Sequence, residues 1–495
     1  MLHRAVSATF GVPGAPLACE NSAASSTRVK FLARSIAHGP PAMKKKPAPK
    51  KPTPLYRQKS LKRKKPLQRK QPTSQQWRGD DSCVVREDAP QHTRARALHC
   101  VELFAGAGGL AIAASNAGFE HDAVLEYNHD ACETIRANQR RGYELVRHWP
   151  LIEGDVHDQD FQTWNGRVDL VSGGPPCQPF SIGGKHGAMG DRRNLFPEAA
   201  RAVREIQPRA FVFENVKGLL RESFAKYFGY IVLQLTYPGV IARKGEDWTE
   251  HLSRLERIKT KGTETELRYN VVSRLLNAAD YGVPQRRERV FVVGFRSDIH
   301  VPWSFPAATH SRDALLMTQW GTGDYWERHE ISQRIRPATP SRFAWFADDL
   351  PLFRQPIGRA PWRTVRDAIA DLGEPTRTAN SARFPNHVLQ SGARPYAGHT
   401  GSPLDEPAKT LKAGDHGVPG GENMLRYPNG DVRYFSVRES CRLQSFPDEY
   451  VFEGSWTENM RQLGNAVPVE LGEVVLRSVR AALERHDATE TPRLL

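Results

Sequence analysis

The sequence of 495 residues contains little cysteine and no long apolar run. Its six cysteines are scattered and form no C-x-x-C pair, which excludes a disulfide scaffold and the common zinc motifs. No segment approaches the roughly 18 consecutive apolar residues of a membrane span. We therefore expect a soluble protein of a reducing cytosol, without membrane association and without a bound metal.

Acidic residues are scarce in the first part of the chain. Glu20 is the one acid among residues 1–42, and none occurs in the window 44–70, which holds thirteen Lys and Arg residues. The whole chain has 70 Lys and Arg against 55 Asp and Glu, so this window carries most of the net charge of +15. Because such a composition cannot form a core, we predict a disordered basic tail over residues 1–95.

The tail has two interpretations. It is either a tether to nucleic-acid phosphates or a solvated segment without a specific partner. Organellar targeting by residues 1–42 is a minor alternative, because the segment lacks a clear amphipathic period. Met43 is an alternative start of the chain.

Beyond the tail, short apolar runs alternate with helical patterns, which is typical of an α/β fold. We predict a strand over residues 100–104, a glycine turn over 105–109 and a helix over 110–116. Such a turn lets the backbone approach a ligand at the helix N-terminus, although a tight structural connection has the same pattern. The next strand, at 123–125, ends on Glu126, where nucleotide-binding folds place an acid on a ribose hydroxyl.

A second motif follows the strand predicted at residues 168–171. The loop SGGPPCQPFS carries Cys177 just beyond the strand, at the edge where open α/β sheets bind ligands. Because the two prolines directly before it restrict this loop, Cys177 is a candidate nucleophile as well as a candidate buried apolar residue. A helix over 195–206 and a strand over 210–213 then bring Glu214 to the same edge. Glu214 is either a buried acid with a raised pKa or a satisfied strand-end carboxylate.

Together these segments resemble the cytosine-5 DNA methyltransferase family of the bacterial modification type. The ordered motifs are VELFAGAGG, Glu126, GDV at Asp155, GGPPCQPFS, ENV at Glu214, QRRER, RESCRLQSFPDEY and GNAVP. They span residues 101–468, nearly all of the chain outside the tail. The resemblance implies a Rossmann-like methyltransferase domain that moves the methyl group of S-adenosylmethionine to carbon 5 of a flipped cytosine in a specific duplex DNA sequence, releasing S-adenosylhomocysteine.

The resemblance also implies roles for individual residues. The Cys177 thiolate would attack carbon 6 of the cytosine, while a neutral Glu214 would donate a proton to N3. Arg287 and Arg289 would hold the base carbonyl and orient the active-site groups. Cofactor contacts would come from Phe104, Ala105, Gly106, Gly108, Glu126, Tyr127, Asp155, Pro175, Leu195, Asn465 and Val467. DNA contacts would come from Gln178, Ser181, Thr410 and Lys412.

The same resemblance divides the chain into domains. We predict a catalytic and cofactor-binding domain over residues 96–296 with an insertion at about 221–268, a loop-rich target-recognition domain over 297–432, and a return to the catalytic fold over 433–495. The expected enzyme is a monomer in the bacterial cytoplasm, associated with the nucleoid. Its partner is double-stranded DNA, and a cognate restriction endonuclease is linked genetically rather than physically. A transfer-RNA cytosine-5 methyltransferase and a catalytically dead DNA-binding relative remain alternatives.

Overall fold

The computed structural model describes the chain in six stretches, residues 96–176, 194–263, 265–343, 358–378, 383–413 and 423–490. The predicted tail and the predicted site residues Cys177, Gln178 and Ser181 lie outside the described residues. Within those stretches, no helix is long and apolar enough to cross a membrane.

Strands and helices alternate through most of the described chain. The strands are β1 (Leu98–Leu103), β2 (Phe119–Glu126), β3 (Leu151–Glu153), β4 (Leu170–Gly173), β5 (Ala210–Val216), β6 (Tyr269–Asn277), β7 (Glu288–Arg296), β8 (His310–Ser311), β9 (Ala360–Pro361), β10 (Ser402–Pro403), β11 (Met424–Arg426) and β12 (Val432–Tyr434). The α-helices are α1 (Gly109–Asn116), α2 (His129–Arg140), α3 (Phe196–Ile206), α4 (Ala225–Thr236), α5 (Trp248–Lys261), α6 (Arg312–Leu316), α7 (Asp324–Arg328), α8 (Val365–Ile369), α9 (Val437–Leu443), α10 (Trp456–Asn465) and α11 (Val469–Glu490).

Seven strands form one sheet in the order β3-β2-β1-β4-β5-β7-β6. The first five of these are parallel, and β7 runs antiparallel to both β5 and β6. The order of the strands reverses between β1 and β4, where open α/β sheets bind ligands. The predicted Rossmann-like α/β fold is therefore confirmed.

Helices cover both faces of this sheet. On one face, Ile112 of α1 and Leu476 of α11 belong to one buried apolar cluster. On the other face, Val203 of α3 and Ile231 of α4 pack with Val171 of β4. Because both faces are covered, the central strands are apolar along nearly their whole length, as the sequence pattern indicated.

The boundaries of all four predicted strands differ from the predictions: β4 covers Leu170–Gly173, and β5 extends past Glu214 to Val216. β1 ends at Leu103, and Phe104 lies in the turn that follows, with a φ of 57°. β2 begins at Phe119 rather than at residue 123, because its polar first half also pairs with β1. Backbone pairing with β1 extends this strand beyond its apolar part, and the pattern of apolar side chains could not predict that extension.

A buried carboxyl group interrupts the apolar run of β1. Glu102 is 1% exposed and accepts a hydrogen bond from the hydroxyl group of Ser172, its neighbour on β4. Burial raises the pKa of Glu102 to about 8, against the opposing effect of the Ser172 hydrogen bond. The folded protein therefore holds this carboxyl group in its protonated form at neutral pH.

This burial makes the free energy of unfolding depend on pH. Since the pKa of Glu102 rises from 4.5 to about 8 on folding, its contribution is fully present below pH 4.5 and is lost as the pH rises through 8. In Glu102→Gln, residue 102 does not titrate. Between pH 4.5 and 8 the free energy of unfolding of this variant should therefore fall less steeply with pH than that of the wild type. The two slopes should differ by up to about 1.4 kcal/mol per pH unit. Urea unfolding over this pH range measures the difference. The exposed Glu120→Gln variant is the control, and a slope in Glu102→Gln equal to that of the wild type would contradict the prediction.

The first residue of α1 touches the segment that leads into α11. A Cβ atom added at Gly109 would lie 2.5 Å from the carbonyl oxygen of Val467, too close for unstrained packing. Gly109→Ala should therefore lower the free energy of unfolding by about 1–3 kcal/mol, measured by urea unfolding. Gly229→Ala in α4 is the matched control, because an added Cβ there meets nothing within 4 Å. Alanine favours helices, so the control should unfold no more easily than the wild type, and equal results for the two variants would count against the contact.

Candidate active site

The turn after β1 is built for close approach of a ligand. Gly106 and Gly108 have φ values of 54° and 85°, and an added Cβ at Gly106 would meet nothing within 4 Å. The amide of Ala105 donates to the carbonyl of Leu125, so the turn is fastened to the end of β2. Gly108 precedes α1 without a side-chain cap, so the first amides of this helix are available to a ligand.

Glu126 joins the end of β2 to this turn. Its Oε2 accepts from the amide of Gly106 at 2.7 Å, and its Oε1 accepts from the amide of Asn128 at 2.7 Å. Burial raises the pKa of Glu126, and these hydrogen bonds oppose the rise. The next side chain, Tyr127, is 75% exposed, which leaves its ring available for stacking.

Further predicted cofactor residues lie at the carboxyl ends of neighbouring strands. Asp155 follows β3, and Pro175 follows β4. The amide of Leu195 donates to the carbonyl of Pro176 at 3.2 Å, which brings Leu195 to the same edge. Asn465 is exposed at the end of α10, and its neighbour Val467 contacts Gly109 through its carbonyl oxygen.

Glu214 and Arg289 form a buried ion pair beside this edge. The Nε of Arg289 lies 2.8 Å from Oε1 of Glu214, and the two residues are 9% and 6% exposed. Burial raises the pKa of Glu214, although the charges of Arg289 and Arg287 oppose the rise. The second oxygen, Oε2, faces Gly174, where an added Cβ would lie 3.5 Å away. Glycine at this position leaves room between the carboxyl group and the loop that follows β4.

Arg287 acts on the backbone rather than on an open cleft. It is fully buried, and its Nη1 donates to the carbonyl of Leu411 at 3.0 Å. Its Nη2 donates to the carbonyls of Gly464 and Ala466 at 2.7 and 2.8 Å. The expected roles of Arg287, holding the base carbonyl and orienting the active-site groups, stay predictions.

Asn215 is a residue that the sequence analysis did not single out. Its Nδ2 donates to the carbonyl of Pro175 at 2.9 Å, and its Oδ1 accepts from the amide of Val216. The side chain therefore fixes the loop after β4 two residues before Cys177. Its position next to Glu214 in the ENV motif could have identified it as a site residue from the sequence.

The cysteines in the described residues are poor nucleophiles. Cys100, Cys132 and Cys441 are buried and free, and burial raises the pKa of each thiol, to about 12 for Cys132 and Cys441. A raised pKa disfavours the thiolate that attacks an electrophile. The described chain also contains no group of three or more His, Cys, Asp or Glu residues that could hold a metal ion.

The predicted DNA-contact residues Thr410 and Lys412 lie beside the QRRER segment. Thr410 Oγ1 donates to the carbonyl of Arg286 at 2.7 Å. The backbone of Lys412 is held by the buried side chain of Asn423, which accepts from its amide and donates to its carbonyl. A bridge between Gln285 and Ala408 aligns the two segments.

Known proteins resemble this chain over nearly all of its described length. The Type II methyltransferase M.PspPI of Psychrobacter sp. (strain TA137) is 30% identical over 394 residues, covering 78% of this chain and 81% of that protein. The Type II methyltransferase M.Eco47II of Escherichia coli is 31% identical over 389 residues, covering 78% and 79%. The solved structure of the S. pombe Dnmt2 methyltransferase aligns at 17% identity with a TM-score of 0.45, covering 79% of this chain and 99% of that chain.

The family comparison covers the same part of the chain. The model of the C-5 cytosine-specific DNA methylase family matches residues 98–239 and 250–481. It omits residues 240–249, which lie inside the segment that we predict as an insertion. The chain therefore belongs to the C-5 cytosine-specific DNA methylase family and is a DNA (cytosine-5-)-methyltransferase.

Proposed function

We propose that the protein methylates carbon 5 of a flipped cytosine in a specific duplex DNA sequence, through a covalent intermediate on Cys177, in a Type II restriction-modification system. The observation that carries this proposal is the buried pair of Glu214 and Arg289, which lies next to the loop leading to Cys177. A base inside stacked DNA cannot reach such a buried pair, so the target must leave the helix.

The described residues fit S-adenosylmethionine. The glycine turn provides backbone amides and space, Glu126 suits a ribose hydroxyl, and the exposed ring of Tyr127 suits an adenine. Asp155 follows β3 at the same edge of the sheet, and the carbonyl group of Val467 approaches Gly109. When bound, the cofactor supplies the electrophilic methyl group.

The catalytic residues act on the cytosine ring in order. The thiolate of Cys177 adds to carbon 6, and Glu214 donates a proton to N3 as negative charge develops there. Arg289 keeps the carboxyl group of Glu214 in place. Carbon 5 then takes the methyl group and loses its proton, after which the thiolate leaves by elimination.

DNA recognition is assigned to the remaining predicted residues. Gln178 and Ser181, just beyond the nucleophile, would occupy the space left by the flipped base or contact its backbone. Thr410 and Lys412 would contact DNA phosphates. We propose residues 297–432 as the target-recognition domain and a monomer as the active form.

Methyl transfer to nucleic acid tests this function directly. The full chain is incubated with labelled S-adenosylmethionine and either genomic duplex DNA or transfer RNA, and the modified base is identified. Label in 5-methylcytosine of DNA is expected. Label confined to transfer RNA, or none in either nucleic acid, would overturn the proposal.

Cys177→Ser should bind DNA and cofactor but transfer no methyl group, because a hydroxyl group at neutral pH is a much weaker nucleophile than a thiolate. DNA containing 5-fluorocytosine should form a stable adduct with the wild type, since fluorine blocks the final elimination, and none with the variant. Denaturing gel electrophoresis detects the adduct. Cys83→Ser, in the predicted tail, is the matched control and should trap normally. An adduct formed by Cys177→Ser would show that Cys177 is not the nucleophile.

Glu214→Gln keeps a similar shape but has no proton to transfer, so methyl transfer should fall by roughly 10²-fold or more while cofactor affinity stays near the wild-type value. Burial raises the pKa of Glu214, so the active protonated form should persist above the usual range for glutamate and decline as the pH rises further. The rate of the wild type should fall on the alkaline side for this reason. The exposed Glu288→Gln variant, on the outward side of β7, is the control. Wild-type turnover in Glu214→Gln would reduce Glu214 to a structural acid.

A further inference from the structure

Tyr127 and Asn128 connect β2, which ends on Glu126, to α2. Asn128 is the N-cap of α2, and its Oδ1 accepts from the amide of Ala131 at 3.0 Å. The main-chain amide of Asn128 donates to Oε1 of Glu126 at 2.7 Å. Asn128 therefore fixes both the start of α2 and one oxygen of the carboxyl group that suits a ribose.

An arginine from a distant part of the chain holds this connection. The Nη2 of Arg461, in α10, donates to Oδ1 of Asn128 at 2.8 Å, although the two residues are 333 positions apart. The Arg461 side chain is 34% exposed, so it lies at the surface of the site rather than in the core. This hydrogen bond fastens α10 to the connection that follows Glu126.

The same helix carries a predicted cofactor residue. Arg461 and Asn465 are four residues apart and therefore lie on one face of α10. The carbonyl of Gly464 accepts from Arg287, which anchors the C-terminal end of the helix. With Asn128 as the second anchor one turn earlier, α10 is held between the QRRER segment and the β2–α2 connection.

The elements around Glu126 carry other charged or titratable groups, namely Asp130 and Cys132 on α2, Glu153 on β3, and Glu458 and Arg461 on α10. Glu153 is paired with Arg136 and His129. Burial raises the pKa of the Cys132 thiol to about 12, so this group stays neutral. The Nε of Arg461 donates to Glu458 at 2.8 Å, so Glu458 offsets part of the arginine's charge.

The carboxyl group of Glu126 serves a ribose best in its ionised form. An ionised carboxylate only accepts hydrogen bonds, and its two oxygens have about four lone-pair sites. The amides of Gly106 and Asn128 use two of them, which leaves sites for ribose hydroxyl groups. Burial raises the pKa of Glu126, whereas the main-chain hydrogen bonds and the charge of Arg461 oppose the rise. Arg461 therefore favours the form that binds.

We propose that Arg461 is a positioning residue for the cofactor, because it holds Asn128 and, through the Asn128 amide, orients the Glu126 carboxylate toward the ribose of S-adenosylmethionine. This inference rests on the proposed S-adenosylmethionine-dependent function. It makes the binding of the adenosine part depend on α10, a helix near the other end of the chain.

Binding of S-adenosylhomocysteine to the full chain, measured by calorimetry without DNA, tests this role and needs no turnover. Arg461→Gln should weaken binding by roughly tenfold at neutral pH, since a charge-assisted hydrogen bond is lost. Arg477→Gln on α11, which removes an arginine paired with Glu473 four residues before it, is the matched control and should bind like the wild type. Wild-type affinity in Arg461→Gln would overturn the proposal.

The pH dependence of binding separates this role from a purely structural one. Affinity should fall toward acid pH as Glu126 takes up a proton, and in Arg461→Gln the fall should begin at higher pH, because loss of an opposite charge raises the pKa of Glu126. Arg461→Lys keeps the charge without the planar donors, so it should restore the wild-type pH dependence but only part of the affinity. A pH dependence that is the same in Arg461→Gln and the wild type would overturn the proposal.

Two further variants identify the groups involved. Glu126→Gln should bind weakly at every pH without a fall on the acid side, and a fall of wild-type size would show that another group titrates. Asn128→Ser keeps a good N-cap but has a shorter side chain, so it should lose the Arg461 contact and weaken binding severalfold. This variant decides the question if Arg461→Gln does not fold, and wild-type affinity in Asn128→Ser would then overturn the proposal.

The inference and the proposed function fail separately. If the wild type binds S-adenosylhomocysteine and methylates DNA, but Arg461→Gln matches it in affinity and pH dependence, the inference is wrong and the proposed function stands. If the wild type binds no S-adenosylhomocysteine and methylates no DNA, the proposed function fails and the inference fails with it.

Discussion

The guanidinium group of Arg287 joins three segments that are far apart in the sequence. It lies at the start of β7 and donates to the carbonyls of Leu411, Gly464 and Ala466. A fully buried arginine must be hydrogen-bonded, because an unsatisfied buried charge costs several kcal/mol. These hydrogen bonds hold the segment before β7, the Thr410 loop and the GNAVP segment together.

Close backbone contacts occur where the segments joined by Arg287 meet. A Cβ added at Gly464 would lie 2.2 Å from the amide nitrogen of Ala413, so glycine is needed where the two segments meet. The same GNAVP segment approaches Gly109 at the first turn of α1. The GNAVP motif therefore contacts both the first turn of α1 and the backbone of Ala413.

The segment of residues 285–289 also places positive charge in two different environments. Alternation along residues 285–289 directs Arg289 inward to Glu214 and Arg286 outward to solvent. Inside, two arginines partly offset the effect of burial on the pKa of Glu214, which remains raised. Outside, the Arg286 side chain is 42% exposed and lies 3.3 Å from Glu406. One extended segment thus carries a buried arginine on one side and a partly exposed arginine on the other.

The sequence by itself determined the fold class, because apolar periodicity and glycine turns are local properties, and the resemblance of its ordered motifs indicated the family. It also indicated that Glu126 and Glu214 end strands at one edge of the sheet. Only the tertiary structure decided what those ends contact: Glu126 bridges to Gly106, Arg287 binds backbone carbonyls rather than an open cleft, and Asn215 fixes Pro175. These outcomes depend on contacts between residues up to 179 positions apart, and no local pattern records such a distance.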